Sequence, residues 1–272
     1  MLKQRILTGA GITIVLSLVI IFSHIPWVLD TLIACLSMQA IYELYRAVGM
    51  KDNKPLYLIS CAAALLLSII NIPGYNYIVV IVFVTAVSLF LYLMLNVKTL
   101  NRIEPWIAIC IAVMVTCFFK CMSGIRAMEK GVYLLGMTVL VSVITDIFAY
   151  FIGKGCGKHK LAPFISPKKT IEGSIGGTIY AVTILSLIAT ILRATNVLQV
   201  NYGTLITYLI MASVVGQFGD LALSSVKRIV RLKDYGALLP GHGGILDRFD
   251  SLLFVLPFTY LFCLCAEPLA IL

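Results

Sequence analysis

A succession of long apolar runs, cut by short polar breaks, constrains this chain more than any other feature. Nine runs can be read, roughly 6–22, 27–45, 56–71, 77–95, 106–122, 132–153, 172–192, 203–224 and 251–271. They approach the ~20 residues needed to cross the hydrocarbon core of a bilayer. The breaks carry turn chemistry: Pro26, Asn71 with Pro73 and Gly74, and the stretch from Asn96 to Pro105. With a mean hydropathy of +1.03 and only 12% charged residues, the chain is not a soluble globular domain. Inside lipid every backbone polar group must be satisfied within the protein, and alternation at strand spacing is absent, so helices are expected. The sequence predicts an all-α fold, a polytopic transmembrane helical bundle of about nine helices.

Basic residues orient such a bundle. With nine spans, 17 of the 21 lysines and arginines fall on the side of the N-terminus, and only Lys120, Arg126, Lys130 and Arg193 on the other. The excess puts the N-terminus and both large polar loops in the cytoplasm and the C-terminus outside. It also accounts for the net charge of +9 without a nucleic-acid partner, for which no recognition motif is present. The first run resembles a signal peptide, but no small-x-small cleavage site follows it, and it is read as an uncleaved helix. The eight cysteines include no CxxC pair and no Cys/His cluster at zinc spacing, and they read as packing residues. By character the chain divides into N-terminal transmembrane helices, 1–130, and C-terminal helices with the polar loops, 131–272, within one membrane domain. Chemistry is expected in the second part.

Two aspartates support that expectation. Asp146 in VSVITDIFAY and Asp220 in VVGQFGDLAL fall inside apolar runs, near their cytoplasmic ends. A carboxylate there costs several kcal/mol, about 2.5–3.5 on insertion scales, and persists with a partner or a task. Asp30 is read as a helix-end residue near water and is set aside. The loop from Gly153 to Gly177, GKGCGKHKLAPFISPKKTIEGSIGG, mixes lysines with glycines. Glycine lets backbone amides approach phosphate oxygens, and lysine supplies a mobile charge. Lysines alone would serve equally as an anchor on anionic head groups. Lys168 and Lys169, followed by Thr170, Glu172 and a glycine-rich helix start, add the free N–H groups of a helix N-terminus as an expected anion site.

The most polar stretch is KDYGALLPGHGGILDRFD, 233–250. Asp247 and Asp250, three apart at the start of the last helix, share a face, and Asp220 is expected to end the preceding helix across the loop. Hard oxygen ligands at one level suit magnesium. Lys227, Arg228, Lys233 and Arg248 surround them with positive charge, and carboxylates for metal beside cations for phosphates are the equipment of nucleotidyl transfer. His242 between glycines could orient a phosphate or a water, or brace the loop. Salt bridging of the aspartates with Lys and Arg is the competing reading.

At this point the residues resemble a family. Ser224, Lys227, Arg228, Lys233, Asp234, Gly236, Leu239, Pro240, His242, Gly243, Gly244, Asp247, Arg248 and Asp250 are similar to the signature of the phosphatidate cytidylyltransferases, or CDP-diacylglycerol synthases. The SPKKTIEG segment at 166–173 and the GDL step at 219–221 resemble that family's other polar blocks. The resemblance implies conversion of CTP and phosphatidate to CDP-diacylglycerol and pyrophosphate at the inner (plasma) membrane of a bacterium. It implies two metal ions, usually Mg2+, held by Asp220, Asp247 and Asp250, with Asp146 a further carboxylate and Lys168 or Lys169 on phosphate. It also implies a homodimer among membrane lipid. A secondary transporter would likewise hold membrane aspartates near glycine-rich breaks, but at the midplane and in related halves, and these halves differ. Another lipid enzyme using a CDP-alcohol would need an aspartate-rich motif that is not seen.

Overall fold

The computed structural model describes residues 18, 21–49, 54–69, 105–236, 243–266 and 269–270. Among them are seven α-helices: α1 (Pro26–Ala47), α2 (Lys54–Ile69), α3 (Pro105–Ala127), α4 (Gly131–Cys156), α5 (Ile171–Ala194), α6 (Tyr202–Ile229) and α7 (Leu246–Cys265). A 3-10 turn, Phe22–His24, precedes α1. Among the described residues five helices are long and apolar enough to cross a membrane: Trp27–Ala47 and the whole of α4, α5, α6 and α7. The chain is therefore a helical membrane protein. The expected run at 77–95 lies outside the described residues, and the run at 6–22 does so for the most part.

Three expectations need correction. Helix α6 runs five residues beyond the end of its apolar run, so Asp220 stands more than two turns inside it and Lys227 and Arg228 are helical. Helix α7 starts at Leu246, five residues before its run. Hydropathy stops where charge begins, whereas a helix continues wherever one face stays covered, and Leu223, Val226, Ile229, Leu246 and Phe249 are all buried. Strand structure also occurs: β1 (Lys160–Ala162) pairs antiparallel with β2 (Ser166–Thr170), and β3 (Gln199–Val200) with β4 (Leu269–Ala270). Such short ladders lack the length for an alternating sequence signal.

The residues pack as two compact units, 1–123 with 222–250, and 124–221 with 251–272. In the first, Pro26 opens α1 at a position where a missing N–H costs nothing, and Gly49 at φ 78° closes the turn after it. Tyr45 and Ser60 share a hydrogen bond of 2.7 Å that ties α1 to α2, and Tyr57 meets Tyr42 and Tyr45 edge-on. Asp30 is not a solvent-facing helix end: its Oδ1 accepts from Lys120 Nζ at 3.2 Å and from Ser123 Oγ at 2.9 Å. Lys120, 4% exposed and inside α3, also donates to the Ser68 carbonyl.

In the second unit α4 and α5 form an antiparallel pair joined by the β1–β2 hairpin. Their backbones touch through a small-xxx-small pair, Gly173 and Gly177. A Cβ on Gly177 would stand 2.6 Å from the Thr145 carbonyl oxygen, and one on Gly173 2.6 Å from that of Ala149. Hydroxyls and an amide then knit α4, α5 and α6: Thr145 donates to Ser213 at 3.0 Å, Ser213 and Thr178 bond at 2.8 Å, and Gln217 Nε2 donates to Thr178 at 3.1 Å. Deeper, Tyr208 and Thr259 join α6 to α7 at 2.9 Å.

Candidate active site

A cavity of about 520 Å³ opens in the second unit. The last three turns of α4 give it Asp146, Ala149, Tyr150, Gly153 and Lys154, positions that recur on one helix face. The hairpin adds Lys160, Leu161, Lys168, Lys169 and Thr170, α5 adds Ser174, and α6 adds Gln217 and Asp220, again three apart on one face. Lys160 reaches the cavity beside Thr170 because the antiparallel register pairs those two residues.

Polar contacts position these groups. Lys169 forms an ion pair with Asp220, their side chains 25% and 21% exposed. Asp146 Oδ2 accepts from Ser251 Oγ at 3.0 Å, and Ser174 donates to Gln217. Four lysines, 154, 160, 168 and 169, face two aspartates, 146 and 220, so the cavity carries excess positive charge. The expected anion site at the α5 N-terminus is filled otherwise. Thr170 caps it, accepting from Gly173 N–H at 3.2 Å, and the Ile171 N–H goes to the His159 carbonyl. Glu172 adds a carboxylate that holds the Lys158 and His159 amides, at 3.1 Å and 3.2 Å, and the His159 ring at 2.6 Å. The cavity's positive charge comes from lysines and not from helix-end amides.

The first unit holds the other group of expected residues. Asp247, 9% exposed, accepts from Lys227 Nζ at 2.9 Å on Oδ1, and from the N–H groups of Tyr235 at 2.8 Å and Gly244 at 3.0 Å on Oδ2. Lys227 also lies 5.5 Å from the centre of the Tyr235 ring. The Tyr235 hydroxyl donates to the Leu223 carbonyl at 2.8 Å, and burial, followed by the charges of Asp247, Asp250 and Glu43, pushes its pKa well above the ordinary value. Gly243, at φ 83°, turns the chain where a Cβ would press on Asp247 at 3.0 Å. Arg228 is exposed and donates to the Leu232 carbonyl at 3.3 Å; Lys233 and Arg248 are exposed, and Asp250 is half-buried. His242 lies outside the described residues.

The structure thus brings Asp146, Asp220, Lys168 and Lys169 to one cavity, and Lys227, Gly243, Gly244 and Asp247 to one network in the other unit. Among the described residues no three His, Cys, Asp or Glu side chains come together as one ion-binding group. Asp247 fits a metal poorly, since both its oxygens already accept hydrogen bonds. Asp146 and Asp220, although bonded to Ser251 and Lys169, line the cavity, and hard carboxylates beside space for water and phosphate oxygens suit magnesium, which takes few protein ligands. The competing salt-bridge reading accounts for the contacts of Asp220 with Lys169 and of Asp247 with Lys227.

Several participants were not singled out from sequence. Lys154, Lys160, Ser174 and Gln217 line the cavity, and Tyr235 and Glu43 belong to the Asp247 network. Glu43 carried the same signal as Asp146, a carboxylate within an apolar run.

A family model described as the Cytidylyltransferase family matches residues 3–266. The chain is 37% identical to a phosphatidate cytidylyltransferase of Bacillus subtilis (strain 168), over 95% of this chain and 96% of that protein. It is 48% identical to a phosphatidate cytidylyltransferase of Staphylococcus haemolyticus (strain JCSC1435) over 47% of this chain and 48% of that one. A Staphylococcus aureus (strain COL) relative of the same name is 46% identical over the same shares. With nearly the whole length matched and a lysine-rich cavity set among apolar helices, this chain belongs to the cytidylyltransferase family.

Proposed function

We propose that this chain is a phosphatidate cytidylyltransferase, making CDP-diacylglycerol and pyrophosphate from CTP and phosphatidate, and that the cavity bounded by α4, α5, α6 and the hairpin is where the phosphates meet. The observation that carries the site assignment is the meeting of Lys154, Lys160, Lys168 and Lys169 with Asp146 and Asp220 in one cavity among apolar helices. A phosphatidate molecule stays in the bilayer, so its head group needs such a site beside lipid.

The lipid phosphate monoester attacks the α-phosphorus of CTP in line. One P–O bond forms between lipid phosphate and α-phosphorus, the α–β bridging P–O bond breaks, and pyrophosphate departs with its electron pair. A phosphate monoester is anionic near neutral pH, so charge neutralisation matters more than a general base. Lys168 and Lys169 meet the phosphates, and the incoming triphosphate competes with Asp220 for Lys169. Lys154 and Lys160 hold the remaining charge, while Gln217 and Ser174 fix the wall beside Asp220. Asp146 and Asp220 would hold magnesium, which when bound neutralises charge developing on the phosphate oxygens. Asp250, in the first unit, would serve as a further metal-binding carboxylate. In the first unit Arg228, Lys233 and Arg248 are exposed cations available to phosphate, with Lys227 and Asp247 fixing the base of the loop, and His242 would add a donor for a phosphate or a water.

The same reading places about nine helices in the plasma membrane, with the N-terminus cytoplasmic, the C-terminus outside and the protein a homodimer. It is tested by following CTP-dependent pyrophosphate release and CDP-lipid formation by the purified protein in detergent with phosphatidate and magnesium. Product from the wild type but not from a folded Lys169→Ala variant supports both reaction and site. No product under conditions where the Bacillus subtilis enzyme works removes the reaction, and full activity in Lys169→Ala removes the site.

A further inference from the structure

Glu43 lies on α1, about two hundred residues before the loop it contacts, and is 1% exposed. Its Oε1 accepts the Ile245 N–H at 2.8 Å and the Gln39 side-chain amide at 3.0 Å, and its Oε2 accepts the Leu246 N–H at 3.0 Å. Those two backbone groups are donors at the start of α7 that have no partner inside that helix. A side chain from elsewhere in the chain therefore does what a local Ser or Asp cap ordinarily does.

The loop is shaped around this carboxyl group on both sides. A Cβ on Gly244 would stand 2.3 Å from Oε2, and one on Gly236 2.8 Å from Oε1. Only a residue without a side chain lets the backbone pass so close. Asp247 accepts from two N–H groups next to the same carboxyl group, those of Tyr235 and Gly244. Burying a carboxyl group is costly unless its hydrogen bonds are made, and here the donors are amides.

We infer that Glu43 is a positioning residue for the cytidylyl transfer: it fixes the start of α7, and with it the Gly243–Asp250 stretch, in the arrangement that the reaction uses. This rests on the proposed function. Glu43 does not touch the reacting atoms in this account; it acts through the backbone of the loop.

The test uses the full chain in detergent. Glu43→Gln keeps the shape but sets an amide donor against backbone donors, and Glu43→Asp keeps the charge on a shorter stem. Hydrogen–deuterium exchange of 243–250 reports the grip directly, and CDP-lipid kinetics per folded molecule report its use. In Glu43→Gln, exchange at Ile245 and Leu246 is expected to rise at least about tenfold, the weight of one charge-assisted hydrogen bond. The kcat should fall at least about tenfold with KM for phosphatidate within about twofold, and Glu43→Asp should recover part of the kcat. Unaltered exchange overturns the grip. Raised exchange with kcat within about twofold of wild type leaves only a structural brace and overturns the positioning role. A wild type that makes no CDP-lipid removes the reaction itself, whatever the exchange shows. Should Glu43→Gln fail to fold, Gly236→Ala presses on the same carboxyl group from the loop side, and full activity in that variant overturns the inference.

Discussion

Replacing Asp247 by asparagine keeps its shape and removes its charge, which leaves Lys227 as a buried cation without its counter-ion. The two side chains are 10% and 3% exposed, so solvent screens them little. Removing one partner of such a pair costs about 3–5 kcal/mol, mostly the penalty of the stranded charge. At about 2–4 °C per kcal/mol for a chain of this size, the apparent Tm should drop by about 6–20 °C. Neutralising both partners, in Lys227→Met with Asp247→Asn, should restore most of the loss, because the asparagine oxygen can still accept the Tyr235 and Gly244 N–H groups. Thermal unfolding of the four proteins in one detergent closes a double-mutant cycle, with an expected coupling of at least about 2 kcal/mol. A coupling below about 0.5 kcal/mol would refute the reasoning, since an exposed pair behaves that way. The double variant should regain stability without regaining turnover.

Lys169→Ala and Asp220→Asn should each slow CDP-lipid formation by at least about tenfold, read by product analysis per folded molecule, because both side chains line the cavity proposed to hold the phosphates. Gly177→Leu should separate α4 from α5 and cost at least about 2 kcal/mol in a detergent unfolding titration, whereas Gly136→Ala, with nothing within 4 Å of the new Cβ, should stay within about 0.5 kcal/mol. Lys120→Met should destabilise by about 3 kcal/mol through stranding Asp30, and adding Asp30→Asn should recover most of it. Chelating divalent metal should stop turnover and leave the unfolding transition in place, measured by CDP-lipid assay beside thermal unfolding.

How far the sequence could be read depends on the residue. Asp146, Asp220, Lys168 and Lys169 were legible because an ionisable group inside an apolar run, or a lysine cluster among glycines, demands a reason locally. Glu43 offered the same local signal, yet its partners are the Ile245 and Leu246 amides, and no spacing rule links residues so far apart. Lys120 and Asp30 each lie within an apolar run, yet nothing along the chain shows that they pair with one another across ninety residues. The extra turns of α6 and α7 were hidden because hydropathy measures side chains and helix length is set by backbone bonding and one covered face.

By itself the sequence determined the class: apolar runs must become helices because lipid offers the backbone no partner, and fixed motifs of charge and glycine pointed to phosphate chemistry. It also determined which helices bear carboxylates. The tertiary structure alone decided the pairings, placing Lys160 and Gln217 with Asp220 at one cavity, Lys227 with Asp247, and Glu43 under the start of α7. The difference is physical. Periodicity and turn chemistry are properties of neighbours along the chain, whereas a buried charge is satisfied by whichever distant group the packing of glycines and apolar faces brings within hydrogen-bonding reach.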